Sequence, residues 1–452
     1  MEFGSIEFLL YFLPLFLFVY RIVPEQLRNM MLLIGSIIFC GYKEPMALVP
    51  LAGSAAVNYL FGAGLAWDRH HKRHLKRKIL LFLGVVCNVG ALAAFKLGIM
   101  PIEMPPGISF YTFSMISYLV DVYRRETPRE MRFLYLANYA AMFPKLLCGP
   151  ITRYGELRDG MTARRFNADT VQEGLGTFIM GLAYKVLLAD RIGLLWNRAH
   201  TIGYESLSTP YAWLAAVAYS MKLYFDFYGY SLMAQGLGGM MGFSLPDNFR
   251  DPYMAKGVRD FYRRWHITLG KWFRDYVYIP LGGSRMGMLR TVFNLAVVWL
   301  LTACWHGFGL NFLLWGGMLW LFIVLENLWA KAGFAEKCRR LGFLAYPYIW
   351  IVIPVTWVCF AITDMGELYT YLGRMFGSVQ GISVREKDWI GALEEYGSLL
   401  IAGAVGCTPF LRLLYEKGRQ FLAGKLLLAI LFWLCVWRIS VAGNNPFMYL
   451  NF

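Results

Sequence analysis

The chain has 452 residues, of which 58% are hydrophobic and only 16% are charged, and its formal net charge is +15. Soluble proteins carry about 25% charged residues, so this composition excludes an ordinary soluble enzyme and predicts a polytopic helical membrane protein. The positive charge lies in short loops between apolar runs, where lipid headgroups and topology rules account for it, so nucleic-acid binding is not indicated.

The N-terminal part contains five apolar runs close to the ~20 residues needed to cross a bilayer. They are residues 5–20, 29–41, 47–66, 79–98 and 107–122. The first run is not a cleavable signal, because Glu2 and Glu7 replace a basic start and no small-residue cleavage site follows. Loops 21–28, 68–78 and 123–132 are rich in Arg and Lys, and the intervening loops are not. The positive-inside rule therefore predicts the N-terminus outside and the 68–78 loop in the cytoplasm.

The middle of the chain is less regular. Residues 134–150 are apolar but interrupted at Pro144 and at Gly149-Pro150, which predicts a re-entrant or broken helix. Helices are predicted at 168–193 and 210–243. The stretch 251–278 is too polar to span, and its aromatic residues interleave with Arg and Lys, so we expect it to lie along the membrane interface.

The C-terminal part contains further apolar runs at 289–304, 308–329, 343–363, 397–411 and 426–441. The loop predicted at 364–396 is net negative and the loop at 412–425 is net positive, which predicts the C-terminus outside. Together these patterns predict an all-α polytopic membrane protein. We expect one integral-membrane domain, with N-terminal helices over 1–130, a core at about 134–330 and C-terminal helices over 343–452. No internal repeat is evident, which weakens a transporter built from duplicated halves.

Cysteine and histidine patterns do not indicate a metal site. The eight cysteines, Cys338 among them, are scattered singly without a C-x-x-C pair, so neither a disulfide framework nor zinc binding is supported. His70, His71 and His74 lie in the basic loop, where a solvated topology signal is the favoured interpretation.

Two histidines are candidates for catalysis. His306 lies in an apolar run, and an ionisable residue at membrane depth favours a functional role over a core histidine bonded to a carbonyl. Burial would keep its imidazole neutral and able to accept a proton from a hydroxyl. His266 is the weaker candidate from the residues alone, because it lies beside arginines at the expected interface.

Charged residues near His266 suggest recognition of a phosphorylated donor. Arg263, Arg264, Lys271 and Arg274 suit phosphate binding, although anchoring to lipid headgroups is an equally good interpretation. Asp226 could orient a histidine or pair with a buried cation, and the sequence does not identify its partner.

Several motifs in order resemble the membrane-bound O-acyltransferase family, most closely its bacterial alginate O-acetylation subgroup. The central motif runs Arg-Trp-His-Ile-Thr-Leu, Trp-Phe-Arg-Asp-Tyr and Ile-Pro-Leu-Gly-Gly over 264–283, and Trp305-His306-Gly307 follows. Further matching blocks are residues 5–9, 107–113, 117–118, 121–124, 143–154, 224–231, 245–249 and 446–449. They extend the resemblance over the whole chain.

The resemblance implies a bundle of roughly 11 transmembrane helices, with re-entrant or interfacial helices, around a funnel or tunnel. His306 would be the catalytic residue inside, and His266 would face a cytoplasmic donor. The motifs add Trp265, Asp275, Trp305 and Asn248 to the candidate substrate-binding or donor-binding residues. Members of this subgroup transfer acetyl groups to envelope or exported polysaccharides, often through an extracytoplasmic SGNH-type partner, and a related branch transfers D-alanine from a carrier protein to teichoic acid.

Two departures from the subgroup bear on the substrate. Tyr228 and Leu232 stand where Ser and Asp are frequent, and Met318-Leu319-Trp320 follows Gly316-Gly317 where many members have another histidine. The acceptor could therefore differ from alginate.

These observations predict an O-acetyltransferase of the bacterial inner membrane. We expect no permanently bound cofactor or metal, acetyl-CoA or another acyl thioester as co-substrate, and hydroxyls of an envelope or secreted polysaccharide as acceptor. Expected partners are membrane lipids and an SGNH-type acetyltransferase or glycan-export machinery. Two alternatives stay open: D-alanyl transfer to teichoic acid, and a transporter or flippase of lipid-linked glycan in which His306 relays protons. The sequence does not identify the groups that would stabilise an oxyanion.

Overall fold

The computed structural model describes residues 1–66, 74–164, 166–332, 345–378 and 387–442. Every regular element in these ranges is a helix, which confirms the predicted all-α class. Helices satisfy all their backbone groups within one segment, as a bilayer requires. His70, His71, Cys338 and the motif at 446–449 lie outside the described residues.

The chain divides into two compact units. The first comprises Met1–Leu182, Gly229–Asp247 and the last helix from Ile430. A π-helical segment, Glu7–Phe12, leads into its first α-helix. The helices of this unit up to Leu182 are α1 Leu13–Ile22, α2 Arg28–Gly41, α3 Leu48–Ala66, α4 His74–Lys96, α5 Ile108–Arg124, α6 Phe133–Ala141, α7 Phe143–Leu146, α8 Tyr154–Thr162 and α9 Ala168–Ala183.

An aromatic cluster forms the interior of the first unit. The ring of Phe143 lies 5.2 Å from that of Phe16, 5.6 Å from Phe12 and 5.4 Å from Phe39. Phe143 begins α7 directly after a break at Met142, which confirms the predicted broken helix. Its freed backbone N–H donates to the Ser36 hydroxyl at 3.1 Å, so the break leaves this buried donor satisfied.

The second unit comprises Ala183–Tyr228 and the chain from Asn248 to Ala429. Its first elements are a π-helical segment Tyr184–Ala189, α10 Asp190–Ile202 and α11 Thr209–Met240, which passes into the first unit at Gly229. The remaining helices are α12 Val258–Arg264, α13 Ile267–Phe273, a π-helical segment Arg274–Tyr278, α14 Met288–His306, α15 Leu310–Lys331, α16 Ala345–Ala361, α17 Met365–Phe376, α18 Asp388–Gly406, α19 Phe410–Gly418 and α20 Leu422–Ala442. Residues 251–278 thus form short helices, none of them long enough to span.

Five helices in the described ranges are long and apolar enough to cross a membrane, or six if α18 and α19, bent by 71°, count as one span. The count of roughly eleven spans therefore stays a prediction. The predicted loop 412–425 contains the end of α19 and the start of α20, and the stretch 364–396, also predicted as a loop, contains the first residues of α18 and the whole of α17. This helix begins where the Asp364 carboxylate accepts from the Glu367 N–H at 2.8 Å and ends at Gly377 with φ +69°.

Candidate functional site

His266 has an unusual backbone conformation. α12 ends at Arg264, Trp265 is extended, and His266 adopts the left-handed region with φ +45° and ψ +53° before α13 begins. Such a conformation costs a side chain with a Cβ about 1–2 kcal/mol. Among the described residues only Arg125 and Asp251 share a positive φ without being glycine. Strain of this kind persists only where the surrounding structure holds it, and it concentrates at functional sites.

Asn248 holds that turn in place. Its carbonyl oxygen accepts from the Ile267 N–H at 2.9 Å. Its side-chain Oδ1 lies 3.0 Å from His266 Nδ1, 2.9 Å from Thr268 Oγ1 and 3.3 Å from the Thr268 backbone N–H. One buried asparagine therefore binds the residues before, at and after the start of α13.

These contacts also fix the tautomer of His266. The Thr268 backbone N–H can only donate, so the Asn248 atom facing it is the oxygen, and His266 Nδ1 must carry a hydrogen to bond with that same oxygen. The lone pair of the neutral ring is then on Nε2. The imidazole is 5% exposed, and burial lowers its pKa to about 3, so it is neutral at physiological pH.

His306 ends α14 and is enclosed by aromatic rings. The residue is 9% exposed. Trp315 and Phe360 meet its ring edge-on, with ring centroids at 5.1 and 5.0 Å, and the neighbouring Trp305 lies at 4.4 Å. These walls exclude most water from the imidazole, which strengthens electrostatic interactions with any group brought beside it.

The indole of Trp305 connects the two histidines. Its ring centroid is 6.5 Å from that of His266 and 4.4 Å from that of His306. The two residues are 40 positions apart in the sequence, and the second unit brings them to the same tryptophan. Both candidate histidines therefore lie near the same side chain.

The predicted basic residues differ in how they are engaged. Arg264 Nε is 3.1 Å from Asp260, and Arg274 Nε is 2.7 Å from the predicted site residue Asp275. Arg263 and Lys271 are exposed and make no ion pair with another described residue. Trp265 is buried instead, with its ring 5.1 Å from those of Phe249 and Trp357.

Comparisons with known proteins identify the family of this chain. The sequence profile of the MBOAT, membrane-bound O-acyltransferase, family matches residues 56–365, which include both histidines. The chain is also 35% identical over 447 residues to a probable alginate O-acetylase of Pseudomonas aeruginosa, covering 94% of this chain and 84% of that protein. The chain belongs to the membrane-bound O-acyltransferase family. It is therefore a multi-pass membrane acyltransferase.

Other similar proteins have different activities. A peptidoglycan O-acetyltransferase of Helicobacter pylori is 30% identical, over 84% of this chain and 81% of its own length. A teichoic acid D-alanyltransferase of Bacillus subtilis is 27% identical, over 60% of this chain and 69% of its own length. The O-acetylating relatives are thus matched over more of the chain than the D-alanylating one.

The structure identifies the partner of Asp226 that the sequence did not. Lys185 Nζ lies 2.9 Å from Asp226 and 2.6 Å from Asp190, and all three side chains are largely buried. Asp226 precedes Phe227, whose ring meets that of His266 edge-on at 4.7 Å. In this acyltransferase the carboxylate fixes the part of α11 that packs on His266. Lys185 had a signal in the sequence, because it is the one charged residue in the apolar stretch 174–189 of the helix predicted at 168–193.

Glu326 is a further residue that sequence reasoning missed. From α15 its carboxylate accepts from the backbone N–H groups of Val258 and, at 3.0 Å, of Arg259. These are the first residues of α12, where unpaired N–H groups and the helix dipole favour a negative charge. The Tyr348 hydroxyl also donates to it at 3.2 Å. The sequence pattern that could have identified Glu326 is a single carboxylate within the predicted span 308–329.

Proposed function

We propose that this acyltransferase moves an acetyl group from a cytoplasmic thioester to hydroxyls of an envelope or secreted polysaccharide, directly or through an extracytoplasmic SGNH-type partner. The observation that carries the proposal is the pair of buried histidines whose rings both lie near that of Trp305. The activities of two relatives, a probable alginate O-acetylase and a peptidoglycan O-acetyltransferase, suggest the acyl group and the class of acceptor.

In the proposed reaction His306 is the general base. It takes the proton of the acceptor hydroxyl as the oxygen attacks the thioester carbonyl carbon. The carbonyl oxygen becomes an oxyanion, which then collapses with cleavage of the C–S bond. The thiolate leaves and takes the proton back from the His306 imidazolium. The neutral His266, with its lone pair on Nε2, accepts a hydrogen bond from the acyl-donor molecule or from the incoming hydroxyl.

Acetyl-CoA is the donor we favour. Arg263 and Lys271 are exposed cations without an ion pair among the described residues, close in sequence to His266, and thus free to bind phosphate oxygens. Arg264 and Arg274 already hold carboxylates, so we assign them to the stability of this segment. We further propose, from the distribution of charge among the loops, that the chain lies in a bacterial inner membrane, with α12 and α13 facing the cytoplasm and both termini outside.

D-alanyl transfer from a carrier protein to teichoic acid is the second candidate. It is favoured by the similarity to the Bacillus subtilis D-alanyltransferase, although that similarity covers only 60% of this chain. The same two histidines would serve that reaction. A glycan transporter with a proton-relay histidine is not favoured, because the family consists of acyltransferases.

The test is the content of ester-linked acetate in envelope glycans of cells that express the wild type, His306→Ala or His200→Ala at equal membrane levels. His200 is an exposed histidine of α10 and provides the matched control. We expect acetate with the wild type and the control and a loss of at least about 100-fold with His306→Ala. Unchanged acetate in His306→Ala would refute the assigned base, and D-alanine esters in place of acetate would favour the second candidate.

A further inference from the structure

The carboxamide of Asn248 contains a hydrogen-bond donor for which the described part of the chain provides no acceptor. The residue is 2% exposed, and its Oδ1 faces donors from His266 and Thr268. Its Nδ2 has no hydrogen-bond partner among the described residues. Leaving a buried donor unpaired costs about 1–3 kcal/mol, and nearly all buried polar groups in native proteins are paired. A donor left in this state indicates a place for a ligand atom.

Rotating the amide cannot remove this unpaired donor. The exchanged orientation would place the NH2 group 3.3 Å from the Thr268 backbone N–H, which is itself a donor. The Ile267 N–H also donates to the backbone carbonyl oxygen of Asn248 at 2.9 Å, which fixes the backbone of this residue. The side chain is therefore anchored through its oxygen, and the direction of its N–H bonds is set before any substrate arrives. Fixed donors of this kind stabilise developing charge without reorganisation.

The chemistry of acyl transfer requires such a donor. Attack on a thioester places negative charge on the carbonyl oxygen. Neutral His266 cannot stabilise that charge through Nε2, because its hydrogen is on Nδ1 and is donated to Asn248. The Oδ1 atom of Asn248 bonds this same histidine, so the contact that orients the His266 ring also fixes the position of Nδ2.

We propose that Asn248 is an oxyanion donor of the site, with Oδ1 positioning His266 and Nδ2 binding the thioester carbonyl oxygen. The inference rests on the proposed function, since it assumes acyl transfer from a thioester. In the step concerned, the acceptor oxygen forms its bond to the carbonyl carbon while the C=O electron pair moves to oxygen. The Nδ2–H hydrogen bond shortens as that charge develops, and it lengthens again when the C–S bond breaks and the thiolate departs.

Substitutions can separate donation by Nδ2 from positioning by Oδ1. Asn248→Asp keeps an acceptor for His266 and Thr268 and removes the donor. Asn248→Ala removes both functions and adds no charge. Thr268→Val removes one hydroxyl contact to Oδ1 and leaves Nδ2 in place. If Asn248 only positions the turn, Asn248→Asp should behave like the wild type. In that case Thr268→Val should lower kcat at least as much as Asn248→Asp does.

The experiment measures thiol release from acetyl-CoA by the purified full chain, with isolated bacterial envelopes as the acceptor. We expect kcat to fall about 100- to 1,000-fold in Asn248→Asp and in Asn248→Ala. KM for acetyl-CoA should stay within about threefold in Asn248→Asp, and kcat within about tenfold in Thr268→Val. Thermal unfolding midpoints would identify a variant that has lost its fold, and Asn248→Asp is the variant expected to keep it.

Two outcomes would overturn the inference, and they differ from each other. If the wild type transfers acetyl groups and Asn248→Asp keeps kcat within threefold, the donor role is wrong and the proposed function stands. If the wild type releases no thiol from acetyl-CoA, the proposed function fails and the inference fails with it.

Discussion

His266 links the stability of the second unit to pH. Burial lowers its pKa to about 3, whereas an unfolded chain has a histidine pKa near 6.5. The unfolded state therefore binds more protons between these values, and the free energy of unfolding decreases as pH falls below 6.5. The stability that the neutral His266 contributes is complete above pH 6.5 and is lost progressively toward pH 3.

The corresponding prediction compares the wild type with His266→Gln, whose side chain does not titrate. Between pH 7.5 and pH 5.0 the wild type should lose about 2 kcal/mol more stability than the variant, because 1.5 pH units lie below the unfolded pKa. Thermal unfolding in detergent at the two pH values measures the difference. Equal losses in both proteins would show that His266 is not held neutral by burial.

For individual residues, the sequence predicts which of them are candidates for the functional site but not which contacts they make. His306 is conspicuous because an apolar run surrounds it. The bond from His266 to Asn248 joins residues 18 positions apart through a left-handed turn. No periodicity encodes that turn, because tertiary contacts rather than local preference hold a histidine there.

The start of α12 depends on a carboxylate from another helix. Glu326 of α15 accepts from the first N–H groups of α12, and α12 leads directly to Trp265 and His266. A displacement at this helix start would pass along two turns of helix to the histidine, and small displacements of catalytic groups reduce rates strongly.

We therefore predict that Glu326→Gln lowers both stability and activity. Replacing one carboxylate oxygen by an NH2 group leaves a backbone donor of α12 unsatisfied, at a cost of about 1–3 kcal/mol, and kcat should fall about tenfold or more. The matched control is Glu416→Gln, which breaks an exposed pair with Arg412 that contributes roughly 0–1 kcal/mol. Unfolding midpoints and acetyl transfer that change equally in both variants would contradict the prediction.

Helix type is predictable from the sequence, whereas helix continuity is only partly so. Pro144 indicates in the sequence the break between α6 and α7. No proline or glycine marks the π-helical segment Tyr184–Ala189, which contains the buried Lys185. Its ion pairs with Asp190 and Asp226 join residues from two helices, so this arrangement follows from tertiary packing rather than from local sequence.

On the scale of the whole molecule, a charge of +15 attracts anionic donors without identifying the binding residues. Arg263 and Lys271 are the cations we assign to the donor phosphates. The double variant Arg263→Ala, Lys271→Ala should raise KM for acetyl-CoA about tenfold or more and leave kcat within about threefold, because phosphates far from the carbonyl contribute uniform binding. Steady-state kinetics at low and moderate salt measure both constants.

The control for this prediction is the double variant Lys417→Ala, Arg419→Ala, which removes the same net charge from the C-terminal end of α19. It should leave KM nearly unchanged. If both double variants raise KM equally, the effect comes from the net charge of the protein rather than from a phosphate site at α12 and α13.

The orientation in the membrane follows from loop charge, and a labelling experiment tests it directly. Residues 412–425 are net positive and are predicted inside, whereas the stretch from Asp364 is predicted outside. Ser378 and Lys417 are both exposed, so each can be replaced by cysteine in a background with Cys87→Ser and Cys338→Ser. In intact spheroplasts an impermeant maleimide should label Ser378→Cys at once and Lys417→Cys only after permeabilisation. The reverse pattern would invert the topology, and it would place the C-terminus, and with it the assigned cytoplasmic side of the donor site, on the opposite face.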